Sequence, residues 1–519
     1  MKTFFQTLLA IVVSLFFLET IFWIPRTVPA GSKFTESVVL KNHLSPGKTQ
    51  DEIRIFTYGE STMHGANYAP VSSPARWLET YLRDFLPHKK IRTVNFARMG
   101  HGSFFTVETF EQTLAYHPDV AIFYLGHNDY LPGERMDQVD RATHPKVYYL
   151  EKLLFQSRFV SFFYRVVLRR NIRKREARWE DRMVGEKIEV IPGALKMGAA
   201  TPRNEKFYWE NLRFFRENIL KILKLGRDHR IPVLFLKPVS NLKDFLPLES
   251  AHQKPLSDLG RRLWQDFFTL GEAARKAKHL GEAAAYYHKA YAIDSTYAEL
   301  PYRMGQIYLQ QGKFAEAKRF FTEAKDQDAI VCRATREILT ILNELQKTQG
   351  LVMLDTEKVL EPEALGQILG EPIIEDNVHF SIKGHSLIGK LMAEGLASQG
   401  WIAPANDWDF SRERSYEVIY QELGINPDLI SHSFVQVASY LGDRYEDRLR
   451  VARRAVELSP KNQEALRALA WSYWISGRKE NAFKVYDQIK ILNPHLAVEI
   501  LENVPDLKKA YEIQSGMSS

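Results

Sequence analysis

Cysteine is nearly absent. Cys332 stands alone among 519 residues, so no intramolecular disulfide can form and the fold must rest on packing. That single thiol is expected as a small apolar residue buried in a helix, with no part in catalysis. Metal-binding patterns are missing too. His64, His101, His127 and His379 are scattered, without a His-Glu-x-x-His run or a cysteine pair, so neither a metal nor a cofactor is implied. The stretch Gly100-His101-Gly102-Ser103 lacks the third glycine of a dinucleotide fingerprint. Charge of one sign is not in excess: 70 Lys and Arg against 63 Asp and Glu leave +7, with no RNA- or DNA-binding motif beside it. Nucleic acid is therefore not an expected partner.

An apolar run near bilayer-spanning length opens the chain at residues 4–24, interrupted by residues such as Gln6, Ser14, Glu19 and Thr20. Val28-Pro29-Ala30 before Gly31 would suit a signal peptidase, but the run exceeds a usual signal core. Residues 1–30 are thus expected as an uncleaved membrane anchor, which would leave the catalytic part outside the cytoplasm, periplasmic or extracellular. Lys2 and Arg26 flank the run and orient it only weakly. Residues 31–50 read as a polar linker.

The length calls for at least two domains. From residue 51 short apolar strands (53–58, 91–96, 119–125, 231–236 and 351–354) alternate with amphipathic helices (75–85, 208–228), the pattern of a doubly wound parallel α/β sheet in three layers. Ligands meet such sheets at the carboxyl ends of the strands. The sheet domain is expected over residues 51–262 and 331–400, with a helix at 329–345 leading back into it. Within it, residues 148–183 join an apolar stretch to a basic one. This insert reads as a helix packed on the core, with a membrane-surface helix as the alternative.

Between the two halves the pattern changes. Gly271, Tyr287 and Ala290 recur as Gly305, Phe321 and Ala324, a shift of 34 residues each time, which is the tetratricopeptide period. A second block follows, with Ala455 and Pro460 closing one unit and Leu466, Tyr473, Gly477, Ala482, Tyr486 and Pro494 fitting the next. Helical repeats are thus expected at 263–330 and 401–519, stacked on each other or on the α/β domain. They serve either as packing scaffold or as a groove for a protein partner.

Four islands carry the chemistry. A serine nucleophile needs a base, a carboxylate to fix that base in one tautomer, and donors aimed at the developing oxyanion. Ser61, in Gly59-Glu60-Ser61, follows the first strand at a turn, although the second glycine of an α/β-hydrolase elbow is missing. Gly100 lets a backbone N–H approach a reacting oxygen, and Asn128, in Gly126-His127-Asn128-Asp129, brings an amide donor to the end of the third strand. Asp376 and His379 are three apart, near enough for the carboxylate to hold the imidazole. His385 has no carboxylate three residues before it and ranks below His379 as base.

Taken singly, each island also fits a helix cap, a loop glycine or an Asx-turn. In this order and at these strand ends the four resemble the SGNH, or GDSL-type, hydrolase superfamily over residues 53–240 and 351–399, with a flavodoxin-like sheet. The resemblance implies Ser61 as nucleophile, His379 as base, Asp376 as its partner, and an oxyanion hole of Ser61, Gly100 and Asn128. Glu60 stands where the family usually has Asp, a position that supports the loop. The implied activity is cleavage of an acyl ester, O-acetyl first, through an acyl-enzyme, with an acylated saccharide among the possible substrates. An O-acyltransferase acting on a surface polysaccharide and a repeat scaffold with an inert hydrolase domain are the alternatives.

Overall fold

The computed structural model describes residues 33–131, 205–442 and 444–514. The expected anchor (1–30) and the basic insert (148–183) lie outside these residues. Among the described residues no helix is long and apolar enough to cross a membrane.

Five parallel strands, β1 (Glu52–Gly59), β2 (Lys90–Asn95), β3 (Val120–Tyr124), β4 (Val233–Leu236) and β5 (Val352–Leu354), form one sheet in the order β2-β1-β3-β4-β5. The central strands β3 and β4 read as continuous apolar runs because both faces are covered. Ile55, Val120, Ile122, Leu234 and Leu236 point to a core closed by helices Pro74–Phe85 and Ile382–Gln399. Their neighbours Phe56, Tyr58, Ala121, Phe123 and Phe235 point to the other core, under helices Ser103–Thr113, Glu205–His229 and Arg336–Gln349. The order reverses between β1 and β3, so the loops that follow these strands part and leave a crevice at their carboxyl ends.

The 34-residue spacing has a steric cause. A Cβ on Gly271 would lie 2.4 Å from the Tyr287 ring and one on Gly305 would lie 2.8 Å from the Phe321 ring, so in each repeat an aromatic side chain lies directly on the glycine of the paired helix. Helices Asp258–Lys276, Leu280–Ile293, Glu299–Gln310 and Phe314–Asp326 make this inserted block. Helices from Pro427–Tyr440 to Pro505–Gln514 make the C-terminal one, with Ala455, Leu466, Tyr473, Ala482 and Tyr486 buried as a repeat requires. Both blocks seat on the segment after β4. Leu242 packs with Tyr302 and Phe321 of the inserted block and with Ile368, while Phe245 joins the C-terminal core beneath Arg444, whose guanidinium carbon is 4.2 Å from the ring centroid.

The helix expected at 329–345 begins only at Arg336, with extended Thr335 as its cap. Tertiary bonds hold the preceding residues out of a helix. Asp328 accepts the N–H groups of Leu248, Glu249 and Ile330, and it pairs with buried Arg333 at 3.1 Å. Arg333 in turn donates to the carbonyls of Asn241 and Phe245. Cys332 therefore lies in a loop, not in a helix, where burial pushes its thiol up to about 12.

Candidate active site

The turn after β1 begins with a close approach. Gly59 has φ 155°, and a Cβ there would lie 2.4 Å from the Tyr124 carbonyl oxygen on β3. Only glycine fits. Glu60 is fully buried and reaches across to the turn after β3, where its carboxylate accepts the N–H groups of Gly126 at 2.9 Å, His127 at 3.0 Å and Asn128 at 3.2 Å. Burial raises its pKa and the Asp129 carboxylate adds to this, against the pull of the three donors. Ser61 then opens the helical turn Ser61–His64 and is 7% exposed.

The partner of Ser61 comes from a loop more than three hundred residues later. His379 Nε2 lies 2.7 Å from Ser61 Oγ, and His379 Nδ1 lies 2.6 Å from Asp376 Oδ2. A carboxylate only accepts, so Nδ1 carries the proton and Nε2 is the acceptor facing the serine hydroxyl. The other Asp376 oxygen takes the N–H groups of Val378 at 3.0 Å and His379 at 2.8 Å, so one side chain shapes the turn and orients the ring. Burial alone would raise Asp376; the His379 ring and these N–H groups outweigh it and hold the carboxyl below its usual range.

Gly100 sits in the turn after β2 with φ 71°. That loop touches the one after β3: a Cβ on Gly102 would lie 3.2 Å from Asp129 N, and Asn128 Nδ2 donates to the His101 carbonyl at 3.2 Å. Asp129 accepts from the backbone and the hydroxyl of Ser103, which fixes the base of the same loop. An amide carries two donor protons, and the His101 bond uses one. Ser61, His379 and Asp376 thus form one hydrogen-bonded chain, while Gly100 and Asn128 lie in two adjoining loops. Among the described residues no hydrogen bond joins either of them to Ser61.

Behind these groups stand residues the motifs did not single out. His127 accepts the Ala334 N–H at Nδ1, 3.0 Å, tying the β3 turn to the loop before helix Arg336–Gln349; burial pushes its pKa down to about 3. Asn241 donates its backbone N–H to Asn377 O at 3.0 Å and its side chain to Ile374 O at 3.2 Å. Asn377 in turn donates to the Cys332 carbonyl. Glu375 is held by the hydroxyls of Tyr68 and Ser433. None of these pairings carries a local signal, because the partners are far apart in the chain. His385 bonds Ser72 at 3.0 Å, and burial pushes it down to about 3, as suits a neutral core histidine. Among the described residues no group of three or more His, Cys, Asp or Glu side chains is arranged to hold a metal ion.

Residues 274–329 match the family model described as tetratricopeptide repeat. No curated protein matches the chain. Similar solved structures include a GDSL-like lipase from Bacteroides thetaiotaomicron, 11% identical over 71% of this chain and 100% of that one, with a TM-score of 0.31. A lipase/acylhydrolase from Enterococcus faecalis is 13% identical over 67% of this chain and 96% of its own, TM-score 0.28. The tetratricopeptide protein YrrB, with an unusual peptide-binding site, is 15% identical over 47% of this chain and 98% of its own, TM-score 0.15. Scores this low bear on no residue's role. The α/β sheet stands on its own strand order, and the site on the bonds above.

Proposed function

We propose that the chain is a serine ester hydrolase of the SGNH type acting through Ser61, His379 and Asp376. The observation that supports it is the unbroken Ser61–His379–Asp376 chain at 2.7 and 2.6 Å, set at the crevice between the ends of β1 and β3. In this mechanism Ser61 Oγ attacks the ester carbonyl carbon as its proton passes to His379 Nε2. Asp376 steadies the imidazolium, and the negative oxygen meets the Ser61 and Gly100 N–H groups and the Asn128 amide. Collapse expels the alcohol, which takes the proton back from His379. Water, deprotonated by the same ring, then releases the acid and restores Ser61.

An O-acetyl ester, borne on a saccharide, is the substrate we favour, and the sugar acceptor of an O-acyltransferase is the alternative outcome. The apolar run at 4–24 supports anchoring at a membrane, with the site outside the cytoplasm. The match at 274–329 supports a protein partner on the repeats. Turnover of p-nitrophenyl acetate by the wild-type chain, lost in Ser61→Ala, tests the nucleophile; undiminished release by the variant would remove Ser61 from the role. Adding candidate oligosaccharides and following both free acetate and acetylated sugar separates water from sugar as acceptor.

A further inference from the structure

Two neighbouring carboxylates, Glu375 and Asp376, face different partners. Asp376 serves His379. Glu375, 5% exposed, has one oxygen on the Tyr68 hydroxyl and the other 3.0 Å from Ser433 Oγ. Tyr68 and Ser433 are themselves fully buried. The backbone of Glu375 closes the same loop, its N–H donating to the His379 carbonyl at 3.0 Å beside the antiparallel bridge between Ile374 and Phe380. The backbone of Glu375 is thus bonded directly to that of His379.

Ser433 belongs to helix Pro427–Tyr440, the first helix of the C-terminal repeat block. That block touches the site-bearing segments twice more. Tyr440 donates its hydroxyl to Asn67 Oδ1 at 2.6 Å, in the segment that also holds Tyr68, and Arg450 pairs with Glu371. Three polar contacts from one helical block thus converge on the two stretches that carry Ser61 and His379. A block that only thickened the core would need apolar packing and no buried hydroxyl on a carboxylate next to the triad.

We propose that Glu375, gripped by Ser433 and Tyr68, is a positioning residue for Asp376 and His379, which makes the C-terminal helical block a working part of the active site. The proposal rests on the reading of Ser61, His379 and Asp376 as a triad. Burial pushes Glu375 up to about 8, against the pull of the Tyr68 and Ser433 hydroxyls.

The test compares Ser433→Ala, Glu375→Leu and Glu375→Gln in the full chain. It reads kcat and KM on p-nitrophenyl acetate and the low-field proton NMR signal of His379 Nδ1–H. Ser433→Ala, which removes one buried hydrogen bond, is expected to lower kcat about tenfold with KM unchanged, Glu375→Leu, which removes two, at least as much, and both are expected to shift the proton signal. Glu375→Gln, which keeps the shape and can bond both hydroxyls, is expected to retain both. Ser433→Ala removes a single atom and supplies the answer where Glu375→Leu does not fold. A folded Ser433→Ala protein with wild-type kcat and an unmoved proton signal would overturn the proposal, as would lost turnover with that signal in place. The NMR reading does not depend on turnover, so a wild-type chain that cleaves no ester defeats the hydrolase reading while this arm still decides the role of Glu375.

Discussion

The two halves of the site are held in opposite ways. On the Ser61 side the constraints next to the serine come from adjacent strands: Gly59 lies against Tyr124, and Glu60 spans one strand spacing to gather the N–H groups of Gly126, His127 and Asn128. On the base side the loop that carries Asp376 and His379 is held by Tyr68, Asn241, Cys332 and Ser433, residues from four separate parts of the chain. The sheet supplies the nearest supports of the first half. The second depends on the chain returning after the inserted repeats and on the C-terminal helices that contact it, so the repeats are structurally joined to the loop that carries Asp376 and His379.

This contrast can be broken at graded points. Asp376→Asn should cost the most, about 10⁴-fold in kcat, because the amide favours the wrong imidazole tautomer; steady-state kinetics on p-nitrophenyl acetate with a loss below tenfold would detach Asp376 from the base. Asn128→Ala should cost about 10²- to 10³-fold in kcat as an oxyanion donor. Were Asn128 only a brace for the His101 carbonyl, the melting temperature would fall and kcat would hardly change. Glu60→Gln keeps one accepting oxygen for Gly126 and Asn128 but sets an amide NH₂ against the His127 N–H, and should cost about 1–3 kcal/mol in urea unfolding, whereas an unchanged midpoint would show that the β3 turn holds without it.

The last effect concerns pH. His385 is buried and neutral, with a folded pKa of about 3 against 6.5 ordinarily. Between these values the unfolded chain binds a proton that the folded chain does not, so stability falls as pH falls from about 6.5 toward 3. His385→Gln should flatten the slope of unfolding free energy against pH by up to about 1.4 kcal/mol per unit in that window; identical slopes for variant and wild type would mean that His385 takes up its proton without unfolding.

What was legible in the sequence divides along the same line. Ser61, Gly100, Asn128, Asp376 and His379 were readable because each is a turn residue next to a strand end or a helix start, a local pattern. The 34-residue repeat of the inserted block was readable because both units reuse one glycine–ring contact. Residues 329–335 were expected as helix because their side chains permit one, and what prevents it, the Asp328–Arg333 pair and the carbonyls of Asn241 and Phe245, is tertiary. The same limit hid Glu375. A carboxylate beside Asp376 was visible, but Tyr68 lies 307 residues away and Ser433 lies 58 away.

The most direct measurement is mass spectrometry of the wild-type chain quenched during turnover of p-nitrophenyl acetate, followed by peptide mapping. The account predicts an acetyl group on the peptide that carries Ser61, absent from Ser61→Ala. Continued turnover with Ser61 unmodified and the acetyl group on another residue would contradict it.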